Sequence, residues 1–118
     1  MPPALRLTLG AAVAALAVGT VVMTAAASAD AHAPRSNEIA MRGNSFRPRR
    51  ATITLGDTVV WVNRDIVRHD AVKSGLFDSG ELKGGESFAW IPSDTGVIEY
   101  RCTIHQRMRG EIRVRSAP

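Results

Sequence analysis

With 118 residues, of which 45% are hydrophobic, 5% aromatic and 22% charged, the chain has the size and make-up of one small globular domain. Its 15 Lys and Arg against 11 Asp and Glu give a net charge of +4, but the basic residues are scattered among acidic ones, which excludes the basic block expected of a nucleic-acid-binding protein. Cys102 is the only cysteine, so no intramolecular disulfide can brace the domain.

The first 29 residues read as a targeting segment. Arg6 precedes an apolar run from Leu7 to Ala27, and the small residues Ala27-Ser28-Ala29 close it. A positive start, an apolar middle and a small-residue exit are the order of a secretory signal peptide. The run approaches the roughly 20 residues that span a bilayer, so an uncleaved membrane anchor is the alternative. Its many Ala, Gly and Thr residues make it weakly apolar, which favours cleavage and a periplasmic or secreted protein. Cleavage after Ala29 leaves 89 of the 118 residues and, with Arg6 gone, 14 basic side chains against 11 acidic ones. Residues 30–37 are polar and contain Pro34, the composition of a flexible lead-in to a single domain over residues 38–118.

From there the chain reads as short strands between turn signals. Glu38 to Met41 is a first run. Ala51 to Leu55 alternates, with Ala51, Ile53 and Leu55 on one face. Gly56-Asp57 turns the chain, and Thr58 to Val62 is β-branched and aromatic. Val72 belongs to a strand following His69. Gly84-Gly85 is a turn, Ser87 to Ile91 places Phe88 and Trp90 on one face, and Pro92 to Gly96 breaks the chain again. Val97 to Cys102 puts Ile98, Tyr100 and Cys102 inward and Glu99 and Arg101 outward. Glu111 to Arg115 turns Ile112 and Val114 inward. No window holds a helical period. Short strands with regular turns predict an all-β sandwich or barrel.

Cys102 ends its strand on the core-facing parity, and the loop after it reads Cys102-Thr103-Ile104-His105-Gln106-Arg107-Met108. Thiolate, imidazole and thioether thus fall within seven residues. Taken singly, a histidine near a strand end is usually a surface residue, a lone cysteine a small buried hydrophobe, and a methionine part of the core. Taken together they match one coordination chemistry. Two His and one Cys with a long axial Met is the ligand set of blue-copper electron-transfer sites, in which soft sulfur donors hold Cu(I) and imidazole binds both oxidation states. A second histidine is needed, and His69 or His32 could supply it. His69 lies between two strand-like segments, so a sandwich can return it to the loop, whereas His32 sits in the lead-in. The expected ligands are therefore His69, Cys102, His105 and Met108, holding one type 1 copper ion. Structural zinc sites favour closed Cys and His tetrahedra without Met.

Residues 46–115 resemble the cupredoxins, and the Cys-x2-His-x2-Met loop looks most like that of amicyanin, with plastocyanin- and pseudoazurin-like features elsewhere. The resemblance rests on Phe46-Arg47-Pro48, the run from Gly56 to Asn63, Phe77-Asp78-Ser79-Gly80, and Cys102 to Gly110. It implies a Greek-key two-sheet β-sandwich with a mononuclear copper at one end, shuttling electrons between larger redox proteins. The expected partners are a dehydrogenase, cytochrome or oxidase with an acidic docking surface, met by a monomer whose Arg68, Arg107 and Arg109 rim the exposed ligand. Four positions depart from the resemblance. Ile104, Gln106 and Arg68 stand where such loops usually carry Pro, and Asp70 stands where Asn is common. An ionised Asp70 can accept a hydrogen bond from the Thr103 hydroxyl or a backbone N–H but cannot donate one.

Catalysis is the less favoured reading. Three histidines and one cysteine in the sequence are too few for a trinuclear or dinuclear copper centre, and a Cys–His hydrolase would leave Met108 without a role. A periplasmic copper chaperone or storage protein could use the same ligands, but would want an open, exchangeable site.

Overall fold

The computed structural model describes residues 14–21 and 32–118. Most of the leader read from the sequence, residues 1–13 and 22–29, therefore lies outside the described residues, as do residues 30 and 31. Residues 14–21 carry neither helix nor strand. No helix among the described residues is long and apolar enough to cross a membrane.

Nine strands form among the described residues: β1 (Ser36–Arg42), β2 (Ser45–Arg47), β3 (Arg50–Thr54), β4 (Thr58–Asn63), β5 (Val72–Lys73), β6 (Phe77–Asp78), β7 (Ser87–Trp90), β8 (Gly96–Arg101) and β9 (Arg109–Arg115). They make a four-stranded sheet in the order β2-β1-β4-β7 and a five-stranded sheet in the order β3-β9-β8-β5-β6. Each sheet is mixed. β1 runs parallel to β4, with Ile39 opposite Trp61, and β3 runs parallel to β9, with Ile53 opposite Val114. The all-β sandwich expected from the alternation is thus present. The short strands β2 and β6 carry too few residues for a visible period of two. β1 begins at Ser36, so the sheet takes up the last two residues of the stretch read as a lead-in.

The alternation that predicts the strands also fills the core. Along β4 every second residue is buried, so Val59, Trp61 and Asn63 point inward. Trp61 is fully buried, and its ring lies 4.9 Å from Phe77 and 5.4 Å from Tyr100 between centroids. Phe46 packs edge-on against Tyr100 at 4.6 Å. Aromatic pairs at these separations contribute about 0.5–1.5 kcal/mol each beyond their buried area. Burial also pushes the Tyr100 phenol well above its usual value, so it stays neutral.

Gly110, opposite Tyr100 across the β8–β9 pair, leaves room for that ring. A Cβ on Gly110 would lie 2.5 Å from Tyr100 Oη. Gly110→Ala should therefore displace the ring and cost about 1–3 kcal/mol of stability, the usual range for overpacking. Urea denaturation measures it, and a change below about 0.5 kcal/mol, the range of ordinary surface substitutions, would show that the ring can move freely.

Asp57, in the turn between β3 and β4, organises the end of the sandwich where the lead-in arrives. It is 3% exposed and accepts from the Arg35 amide at 2.9 Å, while His32 Nε2 lies 2.7 Å from the same carboxylate. Burial opposes its ionisation. The Arg35 amide, the His32 and Asn37 side chains and the Thr54 amide outweigh burial and bring its pKa from 3.8 down to about 2. A carboxyl more acidic in the folded chain than in the unfolded one stabilises the fold above its unfolded pKa, and that contribution is lost as pH falls through its folded pKa. Asp57→Asn should therefore lower stability at pH 7, and the gap to the parent should close between about pH 4 and pH 2. Denaturant titrations of both proteins across that interval check it; a gap independent of pH would mean that Asp57 acts through shape alone.

Candidate metal centre

Two connections meet at one end of the sandwich, β4–β5 and β8–β9, and each carries part of the predicted ligand set. In the first, Asn63 ends β4 on its inward parity and is fully buried. Its side-chain amide donates to the carbonyls of Val67 and Leu82, both at 2.8 Å, and its side-chain oxygen accepts from the Asp65 amide at 2.9 Å. One buried asparagine therefore shapes the whole turn that delivers His69. The His69 backbone is then fixed against Leu82 by a reciprocal pair of hydrogen bonds, N–H to O at 3.1 Å and O to N–H at 2.7 Å. His69 is fully buried.

In the second connection, Cys102 follows β8 and is fully buried, as its strand parity predicts. The Cys102 amide donates to the Met108 carbonyl at 2.9 Å, and the Met108 amide donates to the His105 carbonyl at 3.0 Å. These bonds close the seven-residue loop on itself. Met108 is 1% exposed within it, while His105 is only partly buried.

The donors converge. His69 Nδ1 lies 3.2 Å from His105 Nδ1, and Cys102 Sγ lies 3.8 Å from His105 Nδ1. One donor atom from each of His69, Cys102 and His105 falls within 4.8 Å of the others. Metal bonds of roughly 2.0 Å to nitrogen and 2.3 Å to sulfur can span donors so spaced. The donor set, two imidazoles and a thiol, therefore fits one ion. His32 is not part of it, because it is engaged with Asp57 at the turn between β3 and β4.

Three further interactions hold the site. Asp70, the residue that departs from the usual Asn, is buried and accepts from the Thr103 amide at 2.6 Å and also from the Thr103 hydroxyl. It ties the two connections together by accepting alone. The Asp70 amide lies 3.5 Å from Cys102 Sγ and donates to it. Such a bond stabilises negative charge on sulfur and is one of the levers on the potential of a copper–thiolate centre.

The third is Asp65, which the sequence reading missed. Asp65 Oδ2 lies 2.7 Å from His69 Nε2. Its two oxygens also accept from the Gly43 amide at 2.9 Å and the Asn44 amide at 3.3 Å. Gly43 and Asn44 are the two central residues of the β1–β2 hairpin, with φ of 59° and 53°. That left-handed pair is the mirror-image turn that two-residue hairpins favour, and Gly-Asn supplies it at little strain. The turn thus aims two N–H groups at one carboxylate. Burial would raise the Asp65 pKa, but the Gly43 amide, His69 and the Asn44 amide outweigh it and hold the carboxyl below its usual range. An ionised carboxylate only accepts, so Nε2 of His69 carries the proton and Nδ1 keeps its lone pair toward His105. The available signal was the sequence spacing of four between Asp65 and His69, which has no meaning without the turn between them.

Both ligand-bearing connections also expose apolar side chains. Ile66, Val67 and Ile104 are 101%, 45% and 42% exposed. The arginines expected to rim the site are divided. Arg107 is exposed in the loop. Arg68 is held by Glu81, Nη1 to Oε2 at 3.0 Å. Arg109 belongs to the outer face of β9, opposite Arg101.

No protein-family model matches the chain. It is 31% identical over 66 residues to amicyanin from Paracoccus denitrificans, a match covering 51% of this chain and 50% of that protein. The chain spans about half the length of the curated relatives it matches. Among solved structures, a purple cupredoxin from Nitrosopumilus maritimus superimposes with a TM-score of 0.63 at 28% identity, over 67% of this chain and 99% of that one. A copper-containing nitrite reductase from Thermus scotoductus gives a TM-score of 0.65 at 34% identity, over 72% of this chain but only 23% of the enzyme.

Proposed function

We propose that this chain, whose fold and sequence relatives are those of the cupredoxins, most like amicyanin, is a blue-copper protein that carries single electrons between redox partners. The observation that carries the reading is the convergence of His69, Cys102 and His105 within 4.8 Å at one end of the sandwich. Met108, buried on the same loop, would supply the axial thioether. Copper held there would cycle between Cu(II) and Cu(I), taking up or releasing one electron.

The protein's own groups suit that task. Asp65 and Asn63 fix His69, Asp70 couples the two ligand-bearing connections, and the Asp70 N–H stabilises the sulfur. A centre held by its surroundings changes oxidation state with little movement. His105 is the donor nearest solvent, and Ile66, Val67 and Ile104, exposed on the two ligand-bearing connections, would offer a small apolar contact for a redox protein. Such encounters bury little area and are transient. Arg107 beside this contact favours an acidic docking surface on the partner. We assign residues 1–29 to export, so that the mature protein would act in the periplasm or outside the cell. The nitrite reductase match covers a copper-protein domain within a much larger enzyme, and this chain has three histidines, too few for both a blue site and a second catalytic copper cluster.

The test is an absorption spectrum of the purified protein with added Cu(II). An intense visible band from a copper–thiolate bond, at one copper per chain, is the expected result. A colourless protein that takes up and readily exchanges Cu(I) would replace the carrier with a copper chaperone or store.

A further inference from the structure

A second charged feature lies outside the metal centre and has no part in the function proposed above. On the outer face of the antiparallel β8–β9 pair, Arg101 stands directly opposite Arg109 and Glu99 directly opposite Glu111. Side chains so opposed have Cβ atoms roughly 4.5–5.5 Å apart, and like charges in that register repel. The acidic row has relief, because Arg50 Nε lies 3.8 Å from Glu111 Oε2. The basic row has none. The arginine ion pairs among the described residues are Arg50–Glu111, Arg64–Glu38 and Arg68–Glu81, and neither Arg101 nor Arg109 takes part in one. Both are exposed. They line a cleft of about 470 Å³ whose walls also carry Arg49 and Arg50, at the start of β3, Lys73, at the end of β5, and the carboxylates Glu99 and Glu111.

We propose that this cleft binds a small multivalent oxyanion of the phosphate class, held between the guanidinium groups of Arg101 and Arg109. An oxyanion with two negative charges placed there turns a repulsive pair into two sets of charge-assisted hydrogen bonds. Guanidinium is suited to this because its planar fork meets two oxygens of one group at once. The cleft volume lies within the range of small-molecule sites, roughly 300–1,000 Å³. The same register argues against a broad acidic protein surface as the occupant. Glu99 and Glu111 line the same cleft, so an extended acidic face would meet both, whereas a compact anion fits at the Arg101–Arg109 end, two residues along the strands from the carboxylates.

The experiment is a titration of the full chain with inorganic pyrophosphate at low ionic strength, followed by calorimetry and backbone NMR. Neither readout needs copper. Saturable one-to-one binding is expected, with shifts centred on Arg49, Lys73, Arg101 and Arg109. Arg101→Gln with Arg109→Gln should lower the affinity by about tenfold or more, in line with the loss of hydrogen bonds between charged groups. A control pair, Arg42→Gln with Arg115→Gln, removes the same net charge elsewhere and should lower it by less than about threefold, the effect of a screened long-range field. Near-UV circular dichroism verifies that both variants keep the fold. Equal losses in the two variants, or binding that does not saturate, would reduce the effect to diffuse attraction and overturn the proposal. Binding of an acidic polyglutamate peptide at these residues without binding of pyrophosphate would assign the cleft to protein docking and overturn it as well.

Discussion

Cys102→Ser should abolish the visible colour of the copper-loaded protein and most of its affinity for Cu(II). The band expected of the centre comes from charge moving from the thiolate sulfur to copper, and a serine hydroxyl stays protonated at neutral pH and cannot replace that donor. Outer-sphere changes around a metal typically lower affinity by about 10–100-fold, and loss of a donor atom itself should exceed the upper end of that range. The substitution also puts a hydroxyl into a fully buried position. Its partners would be the Asp70 amide and His105, so the metal-free fold should lose no more than about 1–3 kcal/mol, the cost of an imperfectly satisfied buried polar group. Titration with Cu(II) under the spectrophotometer gives the first result and urea denaturation the second. A serine variant that stays coloured would remove Cys102 from the ligand set.

Asp65→Asn should weaken copper binding by about 10–100-fold, the range measured when the partner of a metal-binding histidine is changed, and should raise the reduction potential. The carboxylate holds the proton on Nε2 of fully buried His69 and keeps Nδ1 free. An amide of the same shape can still accept from Nε2 but brings no charge. Negative charge near the site favours Cu(II) over Cu(I), so its loss moves the equilibrium toward the reduced ion. With the amide oxygen turned to His69, the Asn44 N–H would meet a weaker acceptor and the Gly43 N–H would face the new NH2 group, a donor, and lose its hydrogen bond. Competition with a chelator measures the affinity and voltammetry the potential. If both stay at the parent values, the backbone pair between His69 and Leu82 orients the imidazole without help.

Much of this site was legible along the chain. Cys102, His105 and Met108 lie in one loop, and the parity of β8 sends Cys102 inward while Glu99 and Arg101 face out. Period-two alternation decides facing within a strand because successive side chains point to opposite sides. That is why Tyr100 in β8, and Ile112 and Val114 in β9, could be assigned to the core in advance. The capacity of Asp70 to accept from Thr103 followed from its chemistry alone, since an ionised carboxylate has no proton to donate.

Pairing across the sequence is another matter. Nothing in the local pattern says that β1 runs parallel to β4, or that β3 runs parallel to β9, because parallel partners are joined by crossovers and leave no hairpin turn between them. The arginines show the same limit. A row of alternating charges reads as solvated surface, yet the register of β8 against β9 sets Arg101 against Arg109 and ties neither to a carboxylate. Asp65 shows it most plainly. Its partners are Gly43 and Asn44 more than 20 residues earlier and His69 four residues later, brought together only when the β1–β2 hairpin meets the connection after β4. The sequence by itself determined the strand faces and the donor types, because these follow from local stereochemistry and side-chain chemistry. The tertiary structure alone decided which sheet edges pair, which carboxylate holds His69 and which charges stand opposed, because each is a contact between segments whose separation in sequence carries no record of their distance in space.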